Sequence, residues 1–295
     1  TASTFQYQYS TTVDAWSTGG SLNTAREQLA GAGTQTAALA FGGGPPNTAV
    51  TESYDGASWT EVNDLNTARY SLAGAGTSTS ALAFGGFFPV KNETESWNGT
   101  SWTEVNNLNS ARYLLAGSGS NNTAALAFGG FDPATTSETA KTESWNGTSW
   151  TEVNDLNTPR HSLAGAGTQT AALAIGGDAG GLSAVTESWD GTSWTEVNDL
   201  NTARDKLAGA GTQTAALAFG GEIVSITAIT ESWDGTSWTE VNDLNIARGK
   251  LGGAGSDNTS GLAFGGETPA ITAATEEFNT GIPVGAWSTG NNMNL

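Results

Sequence analysis

The chain has 295 residues, 40 of them glycine, and a formal net charge of −19 from 29 acidic and 10 basic side chains. That excess of negative charge opposes binding to nucleic-acid phosphates and to anionic lipid. Cysteine is absent, which excludes disulfides and thiolate metal sites, and no apolar run is long enough for a membrane-spanning helix.

The opening segment, Phe5–Leu22, reads as two short strands and contains AWSTGG at Ala15–Gly20. It has no basic start and no apolar stretch, so no signal peptide is expected. After it the chain is one repeat. LAGAGTQTAALAFGG and its variants occupy Leu29–Gly43, Leu72–Gly86, Leu115–Gly130, Leu163–Gly177, Leu207–Gly221 and Leu251–Gly266. The recurring arginines Arg26, Arg69, Arg112, Arg160, Arg204 and Arg248 are spaced by 43, 43, 48, 44 and 44 residues. Self-similarity at this period signals a repeat architecture.

Each unit resolves into four strands: the LAGAG run (a), TAALAFGG (b), TESW (c) and SWTEV (d). Asn-Gly or Asp-Gly joins c to d, as at Asn98-Gly99, Asn146-Gly147, Asp190-Gly191 and Asp234-Gly235. These pairs tolerate positive φ and favour tight hairpins. Along strand b, Leu39 and Phe41 point to one face while Ala38 and Ala40 point to the other. Bulky and small faces can then interlock between neighbouring units. The Gly/Ala character of strand a suits a crowded axis, so a is placed innermost and d outermost. The reading is an all-β chain, a β-propeller of four-stranded antiparallel blades. Six blades are favoured over seven. The units fall near 23–65, 66–108, 109–156, 157–200, 201–244 and 245–292, with 1–22 as a closing c/d-like segment. A second such segment, Thr275–Asn292, leaves one c/d piece surplus to a ring of six.

The pattern resembles kelch repeats. A double glycine ends strand b in every unit, and aromatics pair across c and d as Trp97/Trp102, Trp145/Trp150, Trp189/Trp194 and Trp233/Trp238, with Tyr54/Trp59 and Phe278/Trp287 as variants. The likeness spans nearly the whole chain. It departs from kelch in tighter aromatic spacing and Ala-rich inner strands. Near-identical NGTSWTEV arrays also resemble those of environmental bacteriophage and marine microbial proteins, and SWDGTSW is similar to a sialidase Asp-box shortened by one residue. The copper chemistry of some kelch-like propellers needs His, Tyr and Cys, and does not carry over to a chain with one His and no Cys.

Repetition argues against catalysis, since one active site needs one copy of its residues. The tryptophans, including Trp59, Trp102, Trp150, Trp194 and Trp238, are expected to pack between blades with the indole N–H partnered. A ring of sugar-stacking sites is the alternative. The six arginines are expected to form structural ion pairs or carbonyl clasps at the d–a corners, with strand-d glutamates such as Glu61, Glu104, Glu152, Glu196 and Glu240 as companions. The recurring Asp64, Asp155, Asp199 and Asp243, replaced once by Asn107, do not form a dense Ca²⁺ loop. No metal and no cofactor are expected. His161 stands where other units carry Glu27, Tyr70, Tyr113, Asp205 and Gly249, and reads as a surface variant.

Variation concentrates in the b–c loops, which share a face with the d–a connections. Loops on a rigid scaffold are where binding usually resides. Phe87, Phe88, Lys91, Phe131, Asp132, Lys141 and Ile223 are the candidate contacts, with Phe87-Phe88 pointing most directly to an interaction surface. The expectation is a non-enzymatic recognition, adhesion or scaffold module for a protein or glycan, monomeric or part of a longer chain, at an extracellular or virion surface. The alternatives are a carbohydrate-active enzyme with a site near the axis, a multivalent lectin, and a structural spacer.

Overall fold

Six four-stranded antiparallel sheets, each in the order a-b-c-d, ring a central axis in the computed structural model, which describes residues 12–283. Blade 1 is built from Ala30–Thr34, Ala37–Phe41, Thr51–Tyr54 and Trp59–Glu61. Blades 2 to 5 repeat it in chain order. The sixth blade differs. Its inner strands Gly252–Asp257 and Ser260–Phe264 pair in turn with Thr275–Pro283, but its outermost strand is Thr12–Gly19, from the other end of the chain. Among the described residues each end of the chain thus contributes one strand to this blade, and the remaining parts of the two c/d-like pieces, 5–11 and 284–292, lie outside them. Phe278 lies opposite Trp16, not Trp287 as its spacing implied; Trp287 is outside the described residues.

The blades interlock as the pleat requires. Leu39 and Phe41 of blade 1 pack against Ala81, Ala83, Trp97 and Trp102 of blade 2, and the same cluster recurs at the other five junctions. Where strand a passes the neighbouring blade there is room only for glycine at alternate positions: a Cβ on Gly74 would lie 2.6 Å from Phe41 Cζ and 2.7 Å from the Gly31 carbonyl oxygen.

The d-strand tryptophans are 5 % exposed. Each indole N–H donates to the hydroxyl of a strand-c threonine in the preceding blade, as Trp102 does to Thr51 and Trp194 to Thr142, at 3.0 and 3.1 Å. In blade 6 Trp16 takes this part and donates to Thr230 at 3.0 Å. These rings therefore tie blade to blade and present no stacking face to a ligand.

The arginines are buried at the d–a corners, but their partner is not the expected one. Each pairs with the glutamate of strand c: Arg160 with Glu187 at 3.2 Å, Arg248 with Glu276 at 2.9 Å, and likewise Arg26 with Glu52, Arg69 with Glu95, Arg112 with Glu143 and Arg204 with Glu231. The strand-d glutamates, Glu61 to Glu240, are exposed because d is the outermost strand. Each guanidinium also donates to a strand-b carbonyl where the geometry allows, as Arg204 does to Ala218 at 3.1 Å. Burial pulls the arginine pKa values down, to about 10 for Arg160 and Arg248, still ionised at neutral pH. The recurring Asp64, Asp155, Asp199 and Asp243 cap the start of strand c through one oxygen, accepting the N–H of Thr51, Thr142, Thr186 and Thr230. Asn107 does the same for Thr94, which explains why amide and carboxylate interchange there.

Candidate functional site

The b–c and d–a connections meet on one face, where the ring is held by backbone. Gln28, Ser71, Leu114, Ser162, Lys206 and Lys250 precede strand a and all adopt left-handed backbone, with φ of 53–55°. The N–H of each donates to the carbonyl of its counterpart in the preceding blade at 2.8–2.9 Å, so the six bonds close a circle around the axis. Such φ values are uncommon for residues other than glycine, and the closed circle is what holds them. Inside the circle the axis carries two cavities, of about 180 and 90 Å³. The larger is walled by the LAGAG strands and has no titratable side chain in its lining.

Just outside this circle, each blade joins its d–a corner to the first residue of its b–c loop by a single β-bridge: Glu27–Gly44, Tyr70–Phe87, Tyr113–Phe131, His161–Asp178, Asp205–Glu222 and Gly249–Glu267. The scaffold is sixfold, but these pairs divide the face into two halves. On one half the rings of Tyr70, Phe87, Tyr113, Phe131 and His161 follow one another at centroid distances of 5.5, 4.9, 5.4 and 5.8 Å. All five are partly exposed. The other half is acidic, with Asp178, Asp205, Glu222, Glu267 and Glu27 around Lys206 and Lys250.

On the acidic half, Lys250 bonds Glu267 at 2.7 Å and lies 3.6 Å from Glu27. Lys206 bonds Glu222 and lies 3.9 Å from Asp205. Glu27 is buried, and its Oε2 finds no donor. Burial, followed by the neighbouring Glu267 carboxyl, pushes its carboxyl up to about 7. Burial works on Glu267 in the same sense, but hydrogen bonds from Lys250 and Glu27 override it and hold that carboxyl below its ordinary range. The two glutamates therefore face the same lysine, one carboxyl pushed up and the other held down.

The structure separates the residues singled out from sequence. Phe87 and Phe131 enter the aromatic arc. Phe88 turns away to solvent and is 58 % exposed. Lys91 is held by Glu93 at 2.9 Å. Asp132 and Lys141 pair with each other at 3.2 Å and staple the longest loop, whose segments Phe131–Asp132 and Ser137–Glu138 form a small hairpin of their own. Ile223 lies on the acidic half and is half-buried, while its neighbour Val224 is fully exposed.

No family model matches the chain, and no relative of it is found among curated proteins.

Sequence reasoning missed Tyr70 and Tyr113 as partners of the loop phenylalanines. It also missed the carboxyl pair. The signal was present at the position directly after each repeated arginine, where Glu, Tyr, Tyr, His, Asp and Gly alternate within an otherwise constant unit. What was not visible is that this position bridges the first loop residue and faces the next blade.

Proposed function

We propose that this six-bladed propeller is a non-enzymatic recognition module that binds a glycan or a protein through its b–c/d–a face, with the aromatic arc as the contact surface. One observation carries the reading. The fold does not need aromatics at the bridge positions, because blades 5 and 6 make the same bridge with Asp205–Glu222 and Gly249–Glu267. Five partly exposed rings in succession are thus additional to what the scaffold requires. Contiguous exposed aromatic surface of this kind marks binding sites, and ring faces suit sugar C–H faces and apolar side chains alike.

Two features support binding over hydrolysis. Neither axial cavity has a carboxylate in its lining; the larger has no titratable side chain and the smaller has only Lys206 and Lys250. The perturbed carboxyls, Glu27 and Glu267, are both drawn onto the Lys250 ammonium, at 3.6 and 2.7 Å, whereas the two carboxyls of a glycoside hydrolase stand free to flank the scissile bond. The double glycine and paired aromatics favour placing the chain among kelch-like propellers, and an extracellular or virion surface suits such a module.

The test is a glycan and peptide array probed with the whole chain, followed by Tyr113→Ala and Phe87→Ala. Tyr113 sits between Phe87 and Phe131, so its loss is expected to weaken any bound target at least about tenfold, or about 1.4 kcal/mol, with little change in melting temperature. Full binding by both variants would sink the reading.

A further inference from the structure

At the end of the aromatic arc, three separate segments bring the chain's single histidine together with two carboxylates. His161 and Asp178 form the blade-4 bridge, exchanging both backbone hydrogen bonds at 3.0 and 2.8 Å. That pairing sets their side chains next to each other on one side of the bridge. Glu138 arrives from the blade-3 hairpin, where it lies opposite Phe131. One imidazole nitrogen and one oxygen from each carboxylate lie within 4.8 Å of one another. Among the described residues no other group of three such ligands is gathered this closely.

The ligands are also oriented. Imidazole Nδ1 is 2.9 Å from Ser162 Oγ, and Nε2 stands 3.9 Å from Glu138 Oε1. With Nδ1–H donating to the hydroxyl, the lone pair of Nε2 is directed at the carboxylate. A hydrogen bond on the far nitrogen is the usual way a metal-binding histidine is held in tautomer and direction. Asp178 is anchored through Oδ1, which accepts the Gly181 N–H at 2.7 Å, while its second oxygen makes no hydrogen bond within the described residues.

We propose that Glu138, His161 and Asp178 bind a divalent transition-metal ion of the Zn²⁺ type. This assignment goes beyond the recognition reading and does not depend on it. One imidazole and two carboxylates supply borderline and hard donors, a set suited to Zn²⁺, with the imidazole favouring it over Ca²⁺ or Mg²⁺. Their two negative charges neutralise the ion. Ligand atoms around tetrahedral Zn²⁺ stand about 3.3 Å apart, so a trio within 4.8 Å must close by up to about 1.5 Å. Glu138, half-buried at the edge of a two-residue strand, closes that distance by side-chain rotation. Three protein ligands leave a fourth position for water or for a donor on a bound partner. No other blade can repeat the site, because the bridge pairs elsewhere lack histidine and only blade 3 has the extra hairpin.

The single histidine makes the test direct. ZnCl₂ is titrated into the whole chain, with binding followed by calorimetry and by the imidazole ¹⁵N resonances, which have only one source. One Zn²⁺ per chain is expected, with the large shift on Nε2 and Nδ1 remaining protonated. Glu138→Gln should bind at least about tenfold more weakly and His161→Ala should lose the site, while Glu93→Gln on the adjacent loop should bind as the parent does. Metal-free melting curves establish that each variant is folded. If His161→Ala is not, Glu138→Gln together with the parent's ¹⁵N spectrum decides. An Nε2 resonance unmoved at saturating Zn²⁺, or equal affinity in Glu138→Gln and parent, overturns the proposal.

Discussion

A residue's depth in the blade, more than its type, sets its role in this protein. Glu231 and Glu240 lie directly opposite each other on strands c and d, yet Glu231 is buried against Arg204 and Glu240 is in solvent. Removing one partner of a buried pair leaves an uncompensated charge. Glu231→Gln is therefore expected to cost about 3–5 kcal/mol in urea unfolding, against roughly 0.5 kcal/mol or less for Glu240→Gln. Equal costs would show the two glutamates to be interchangeable. Glu27 gives the protein a pH dependence of definite sign. Its folded-state pKa of about 7 lies above the ordinary 4.5, so between those values the folded chain holds more protons than the unfolded one. Its contribution is fully present below about pH 4.5 and is lost as pH rises through about 7. Melting temperature measured across this window should fall less steeply in Glu27→Gln than in the parent, and a steeper fall in the variant would contradict the assignment.

Among the elements, strands a and b are under the tightest geometric demand. Strand a must pass the neighbouring blade with backbone almost touching backbone, and the large side chains of strand b fill the space that its glycines leave. Gly74→Ala places a methyl against Phe41 and the Gly31 carbonyl, and neither can retreat without disturbing two blades. It is expected to destabilise the chain by about 1–3 kcal/mol, measured by denaturant midpoint. The same change at Gly181, where an added Cβ meets nothing within 4 Å, should be nearly neutral. The b–c loops face no such demand. Their lengths and compositions differ, and the aromatic arc and the ligand trio both draw residues from them.

The whole molecule is a ring closed twice. The termini close it through the pairing of Thr12–Gly19 with Thr275–Pro283, which covers a strand edge that an open array would expose. Near the axis, the circle of six backbone hydrogen bonds closes it again without side chains. Deleting residues 1–19 removes Trp16, its bond to Thr230 and its packing on Phe219 and Phe278. Such a chain is expected to melt at a lower temperature than any single side-chain truncation and to self-associate in sedimentation through the bared edge. A truncated chain as stable and monomeric as the parent would show that the inner circle alone suffices.

The architecture was legible in the sequence because it is local and repeated. Strand lengths, Asp-Gly and Asn-Gly hairpins, the alternation of Leu39 and Phe41 with Ala38 and Ala40, and the glycines of strand a each follow from rules that act within a few residues, stated six times over. Even the candidate face could be found from where the copies disagree. What only tertiary structure decided is which equivalent group meets which. A repeat offers Arg204 two glutamates at matching positions, and only the radial order of strands buries one and exposes the other. The arc of Tyr70, Phe87, Tyr113, Phe131 and His161, the meeting of Glu27 and Glu267 at Lys250, and that of Glu138 with His161 and Asp178 all depend on contacts between neighbouring blades. Sequence spacing does not encode those distances, because the bend from blade to blade and the closure of the ring set them.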